Sequence, residues 1–148
     1  MDGIIQTAFD YALNDVDIAK VTRNKAKLLF YKDLVKYSSI IDAIGPSGQC
    51  VLLFPTDNDY KNNHWIAIIN HTDTNTIEHF DSYGLSPQQE QGYSTNAQVK
   101  QGILNKLYQN AVNQGYRFVW NEHRLQKMAS GIDDCGRYAS IRCRFHYL

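Results

Sequence analysis

The chain has 148 residues, 43% of them hydrophobic and 20% charged, which fits one globular domain with one core. Its 15 basic side chains balance 15 acidic ones, so no mean field draws it to nucleic acid or anionic lipid, and no run approaches the roughly 18 apolar residues of a membrane span. The three cysteines, Cys50, Cys135 and Cys143, are an odd number without disulfide-framework spacing, which points to a reducing compartment.

The chain opens "MDGIIQTAFDYALNDVDIAK", with aspartate where a secretory signal carries lysine or arginine, so no export is expected. Ile4, Ala8, Tyr11 and Ala12 share one helical stripe, and Leu28, Leu29, Lys32 and Val35 suggest a second helix over about 26–37. "GPSGQ" breaks the pattern, and "CVLLF" reads as a buried strand because it is short and stops at Pro55. After the polar loop "TDNDYKNN", the runs "HWIAIINH" and "NTIEHFDSY" are β-rich and separated by the turn-forming "TDTN", which predicts a hairpin or meander. "LSPQQEQGYSTN" reads as a long loop ending in an N-cap at Ser94, Thr95 or Asn96. A helix should follow, with the stripe Val99, Ile103, Leu107 and Val112. "YRFVWNEH" alternates like a strand. A last helix then begins near Cys135 with Tyr138, Ile141, Arg142 and Phe145 at helical spacing, and would span about 13 residues, or roughly 20 Å. With no repeat or linker, the chain is expected to be a single domain over 1–148, with a helical part over 1–45 and the remaining core over 50–148. The fold class is α+β, a central mainly antiparallel sheet packed by helices.

Cysteine is a strong nucleophile only as a thiolate, and a free thiol is mostly protonated at neutral pH. A helix start supplies free N–H groups and the positive end of the dipole, which makes Cys135 the candidate nucleophile. Of five histidines, His64 stands where a polar loop enters an apolar strand and is the candidate base. Asp81, at the end of the neighbouring strand, can fix its tautomer if the two strands pair. The Cys135 N–H and the Gln126 side-chain amide are candidate oxyanion donors, and Gly136 leaves room for close approach. His79 is a rival base; Glu78 and Asp134 are rival acids, although Asp133 or Asp134 also suits a helix cap. Cys50 and Cys143 read as packing residues. No Cys or His pair has zinc-site spacing. Arg124, Lys127, Arg137, Arg142 and Arg144 concentrate near the end, read as a solvated face with helix-end charges.

The ordered set "HW", "HFDSYG", a glutamine and "DCG" resembles the cysteine-protease clan that includes the adenovirus maturation protease and the SUMO and ubiquitin-like-protein proteases. The resemblance covers about Val51 to Leu148. It implies a papain-like active site in circularly permuted order, His64, Asp81 and then Cys135, with Gln126 at the oxyanion hole. Gln126 stands further from the cysteine than the family's glutamine does, so a small insertion is implied in that loop. The compactness of the chain and the phrase "FDSYG" resemble the proteases of large DNA viruses, virophages and related mobile elements more than eukaryotic deSUMOylases. That likeness implies a monomeric viral endopeptidase acting on capsid or other virion precursor proteins at glycine-containing sites. The enzyme would work in the host cytoplasm or viral factory, be packaged in the virion and need no metal or other cofactor. The alternatives are an isopeptidase that removes ubiquitin-like modifiers and a catalytically silent binding module on the same scaffold.

Overall fold

A computed structural model describes residue 22 and residues 25–59, 63–121 and 135–146. The helix expected around Ile4 to Ala12 lies outside the described residues, as do Gln126, Arg124, Lys127, Asp133 and Asp134.

Strands β1 (Lys27–Phe30), β2 (Gln49–Pro55), β3 (Asn63–His71), β4 (Thr76–Phe80) and β5 (Arg117–Trp120) form one sheet in that spatial order. The three inner strands are an antiparallel meander, and the two short outer strands join in parallel. The β3–β4 turn places Asn75 at φ 53°, a left-handed conformation that asparagine tolerates better than most residues.

Alternation along β3 divides the core. Ile66 and Ile68 join Leu52, Phe54 and Ile77 on one face, covered by the short helix α1 (Ile40–Ile44) and by Leu104, Leu107 and Tyr108 of α4 (Ile103–Asn113). Ala67 and Ile69 join Val51 and Phe80 on the other, covered by Ala139 and Cys143 of α5 (Cys135–Arg144), with Trp65 packed beside them. Central strands buried on both faces explain why "CVLLF" is apolar without alternation.

Four stretches differ from the sequence expectations, each for a physical reason. The helix expected over 26–37 is instead β1 followed by a 3-10 helix, Tyr31–Lys36. Lys27 to Phe30 pair with Cys50 to Leu53, and that ladder outweighs a local helical period. The expected loop after Leu85 contains α2 (Pro87–Tyr93), opened by a capping box in which the Ser86 hydroxyl accepts from the Gln89 N–H and the Gln89 side chain accepts from the Ser86 N–H. The next helix does start after Asn96 but is divided into α3 (Ala97–Lys100) and α4 by Gly102, which sits at φ +74°. Val112 consequently faces solvent, while Tyr108 and Ala111 take the inner stripe. Finally, α5 ends at Arg144 and turns Ala139, Ser140 and Cys143 inward, leaving Ile141 and Phe145 exposed. No described helix is long and apolar enough to cross a membrane.

Because α2 is only seven residues long, its cap matters more than its propensity. Ser86→Ala is expected to lower the stability of the protein by about 1 kcal/mol, measured by denaturant unfolding.

Candidate active site

The β3–β4 register pairs Ala67 with Phe80, and continuing it sets Asp81 opposite Ile66 and therefore diagonal to His64 on the same face. The side chains meet there: His64 Nε2 and Asp81 Oδ1 are 2.7 Å apart, with His64 7% exposed and Asp81 fully buried. A carboxylate only accepts, so Nε2 carries the hydrogen and donates it. Nδ1 of the neutral ring is then the basic nitrogen, the arrangement a general base requires.

The pair is held from three sides. The Tyr83 N–H donates to the same Asp81 oxygen at 2.9 Å, and the Tyr83 ring stacks on the His64 imidazole with centroids 4.9 Å apart. The Asn121 side chain, just beyond β5, clamps the Asp81 backbone by accepting from its N–H at 2.8 Å and donating to its carbonyl. Burial alone would raise the Asp81 carboxyl, but the His64 hydrogen bond and charge, with help from Glu90 and the Tyr83 N–H, outweigh it and hold the group at about 2. Asp81 is therefore a carboxylate at neutral pH, able to stabilise an imidazolium.

Cys135 is the first residue of α5, as the sequence suggested. The helix lies along β3 in the same direction: Cys143 meets the Cys50 carbonyl, Cys50 pairs with Ile68, and the His146 ring lies 6.2 Å from that of His71. From Cys143 back to Cys135 the helix descends roughly 12 Å. From Ile68 back to His64 the strand descends roughly 13 Å. The helix start thus reaches the level of His64.

The rivals are occupied elsewhere. His79 is fully buried between Tyr108 and Glu90, and burial lowers it to about 4, so it is neutral and remote from solvent. Glu78 accepts two 2.7 Å hydrogen bonds from Arg142 and one of 2.9 Å from His71, on the α5 side of the sheet. Arg142 is accordingly a structural ion-pair partner and not part of a solvated basic face. Cys50 and Cys143 are buried free thiols; burial pushes Cys50 up to about 12 and raises Cys143 too.

Among the described residues, the ligand-type atoms of His64, Asp81 and Glu90 lie within 4.8 Å of one another. At 2.7 Å, the His64–Asp81 contact is a direct hydrogen bond, too short for two ligands that each stand roughly 2 Å from a shared zinc ion. The group is a hydrogen-bonded network.

Three members of this site escaped the sequence reading. Asn121 sits inside a run that alternates like a strand, Tyr83 inside a phrase read for its aspartate, and Glu90 inside a stretch expected to be loop. Only Glu90 carried a usable signal, because Ser86, Pro87 and Gln89 announce a helix start that places Glu90 one turn in.

No protein-family model matches the chain. Over 139 residues, 93% of this chain and 78% of the relative, the sequence is 33% identical to the Sputnik virophage protein named "Uncharacterized protein V9". Among solved structures, the C-terminal protease domain of Ulp1 in complex with Smt3, the yeast ortholog of SUMO, is similar at a TM-score of 0.46 and 14% identity. That match covers 90% of this chain and 64% of the other, so the chain spans less than two thirds of that domain.

Proposed function

The chain belongs to the family of the Sputnik virophage protein V9, and from that premise together with the His64–Asp81 geometry we infer that it is a viral cysteine endopeptidase. The observation that carries this reading is the buried 2.7 Å hydrogen bond that leaves His64 Nδ1 basic, in a sheet whose covering helix begins with Cys135. The Cys135 thiol gives its proton to His64, and the thiolate attacks a peptide carbonyl. The Cys135 N–H and the Gln126 amide receive the developing oxyanion, and the protonated His64 gives its proton to the leaving amine. Water then attacks the thioester, with His64 again as base, and frees Cys135. The substrates are capsid or other virion precursor proteins cut at glycine-containing sites, in the host cytoplasm or viral factory and within the assembling particle.

The test is incubation of the purified protein with precursor polypeptides of its own virus, with product termini read by mass spectrometry. Discrete cleavage is expected, together with iodoacetamide alkylation at Cys135 far faster than at Cys50 or Cys143. Intact precursors, combined with a Cys135 that reacts no faster than a model thiol, would overturn the reading. Covalent capture by a vinyl sulfone built on a ubiquitin-like modifier, without precursor cleavage, would replace it with an isopeptidase.

A further inference from the structure

Behind Asp81 lies a second carboxyl that the triad does not require. Glu90 of α2 is 2% exposed, and its Oε1 lies 2.7 Å from His79 Nε2, while His79 Nδ1 lies 2.8 Å from the Tyr108 hydroxyl. A carboxyl oxygen of Glu90 and one of Asp81 lie within 4.8 Å of each other. The remaining oxygen of each, Glu90 Oε2 and Asp81 Oδ2, is buried and receives no donor from any other described residue. Two ionised carboxylates cannot be held this close away from water, because neither can donate and their charges repel. One proton between them resolves both deficits.

We infer that Glu90 is a neutral carboxylic acid whose O–H donates to Asp81 Oδ2, making it a positioning residue for the Asp81–His64 pair. Every donor in the chain then has one acceptor. The Tyr108 O–H donates to His79 Nδ1, the His79 Nε2–H to Glu90 Oε1, the Glu90 O–H to Asp81 Oδ2, and the His64 Nε2–H with the Tyr83 N–H to Asp81 Oδ1. The opposite assignment, an imidazolium at His79 against an ionised Glu90, would bury a cation and two facing anions. Burial and the Asp81 charge both push Glu90 toward its neutral form, and burial keeps His79 unprotonated. The titratable groups that face Glu90 are His64, Asp81, His79, Tyr108 and Tyr31. With Asp81 the charged member of the buried pair, its carboxylate is fixed in one rotamer and one ionisation state beneath His64.

This inference rests on reading His64 as the base and Asp81 as its orienting acid. Its test uses the full chain carrying Cys135→Ala, which has no activity to lose, so its outcome is separate from whether precursors are cut. In that background, infrared difference spectra at neutral pH are expected to show a protonated-carboxyl C=O band that Glu90→Gln removes. The His64 titration, followed by NMR of labelled imidazole, should keep its midpoint in Glu90→Gln, because the amide donates and accepts at the same two places. In Glu90→Met the midpoint should rise, since Asp81 loses a donor and leans more on the imidazolium. Absence of the band overturns the inference, as does a midpoint that falls by about one pH unit or more in Glu90→Gln, the signature of a lost negative charge. A Glu90→Met midpoint equal to that of the unsubstituted residue overturns the positioning role. The band and the Glu90→Gln titration decide the matter even where Glu90→Met fails to fold.

Discussion

Cys135→Ala is expected to reduce precursor cleavage to background, a loss on the order of 10⁴-fold or more in kcat, with substrate binding retained. The size follows from the chemistry: without sulfur no acyl-enzyme forms, and the residual environment can only polarise a bound carbonyl. The fold should be retained, because the substitution removes a single sulfur atom at the first residue of α5 and alanine is a strong helix former. Cleavage assays at saturating precursor, paired with thermal unfolding, check both statements. Activity at the unsubstituted level would place the nucleophile elsewhere, and the buried Cys50 and Cys143 are unsuited to that role.

The second large effect is expected from Asp81→Asn, a loss on the order of 10²-fold or more in kcat with KM little changed. Asparagine can keep an oxygen where Asp81 Oδ1 accepts from His64 and Tyr83, so the ring stays oriented. What disappears is the negative charge that stabilises the imidazolium formed when His64 takes the thiol proton, before and in the transition state. The sign at the thiol follows: a less favourable imidazolium means less thiolate at neutral pH. The alkylation rate of Cys135 should therefore fall in parallel with cleavage. Equal alkylation rates in the two proteins, measured across pH, would show that the Asp81 charge does not reach the thiol.

The residues differ in how openly they announced these roles. His64 and Asp81 were visible because two apolar strands with a short turn must pair, and pairing sets a diagonal neighbour two positions away on the same face. The start of α5 was visible because a stretch of acidic and small residues precedes a run at helical spacing. The β1 strand was hidden because its four residues have no alternation of their own and become a strand only against β2. Glu90 and Asn121 were hidden for a different reason. Their roles come from contacts across 11 to 40 positions, Glu90 reaching back to His79 and Asn121 closing on the Asp81 backbone, and no local period encodes such a meeting.

The grip of Arg142 on Glu78 bears on the other end of its helix. Two hydrogen bonds of 2.7 Å fix the guanidinium against β4, and α5 is a rigid rod of ten residues. Sliding that rod by a single residue, about 1.5 Å, would break both bonds. The level along the sheet at which α5 begins is therefore gauged at Arg142, seven positions downstream of its first residue, on the far side of the sheet from the Glu90 chain. The start of α5 and the His64–Asp81 pair are registered by separate anchors, like two jaws of a vice mounted on opposite faces of one plate.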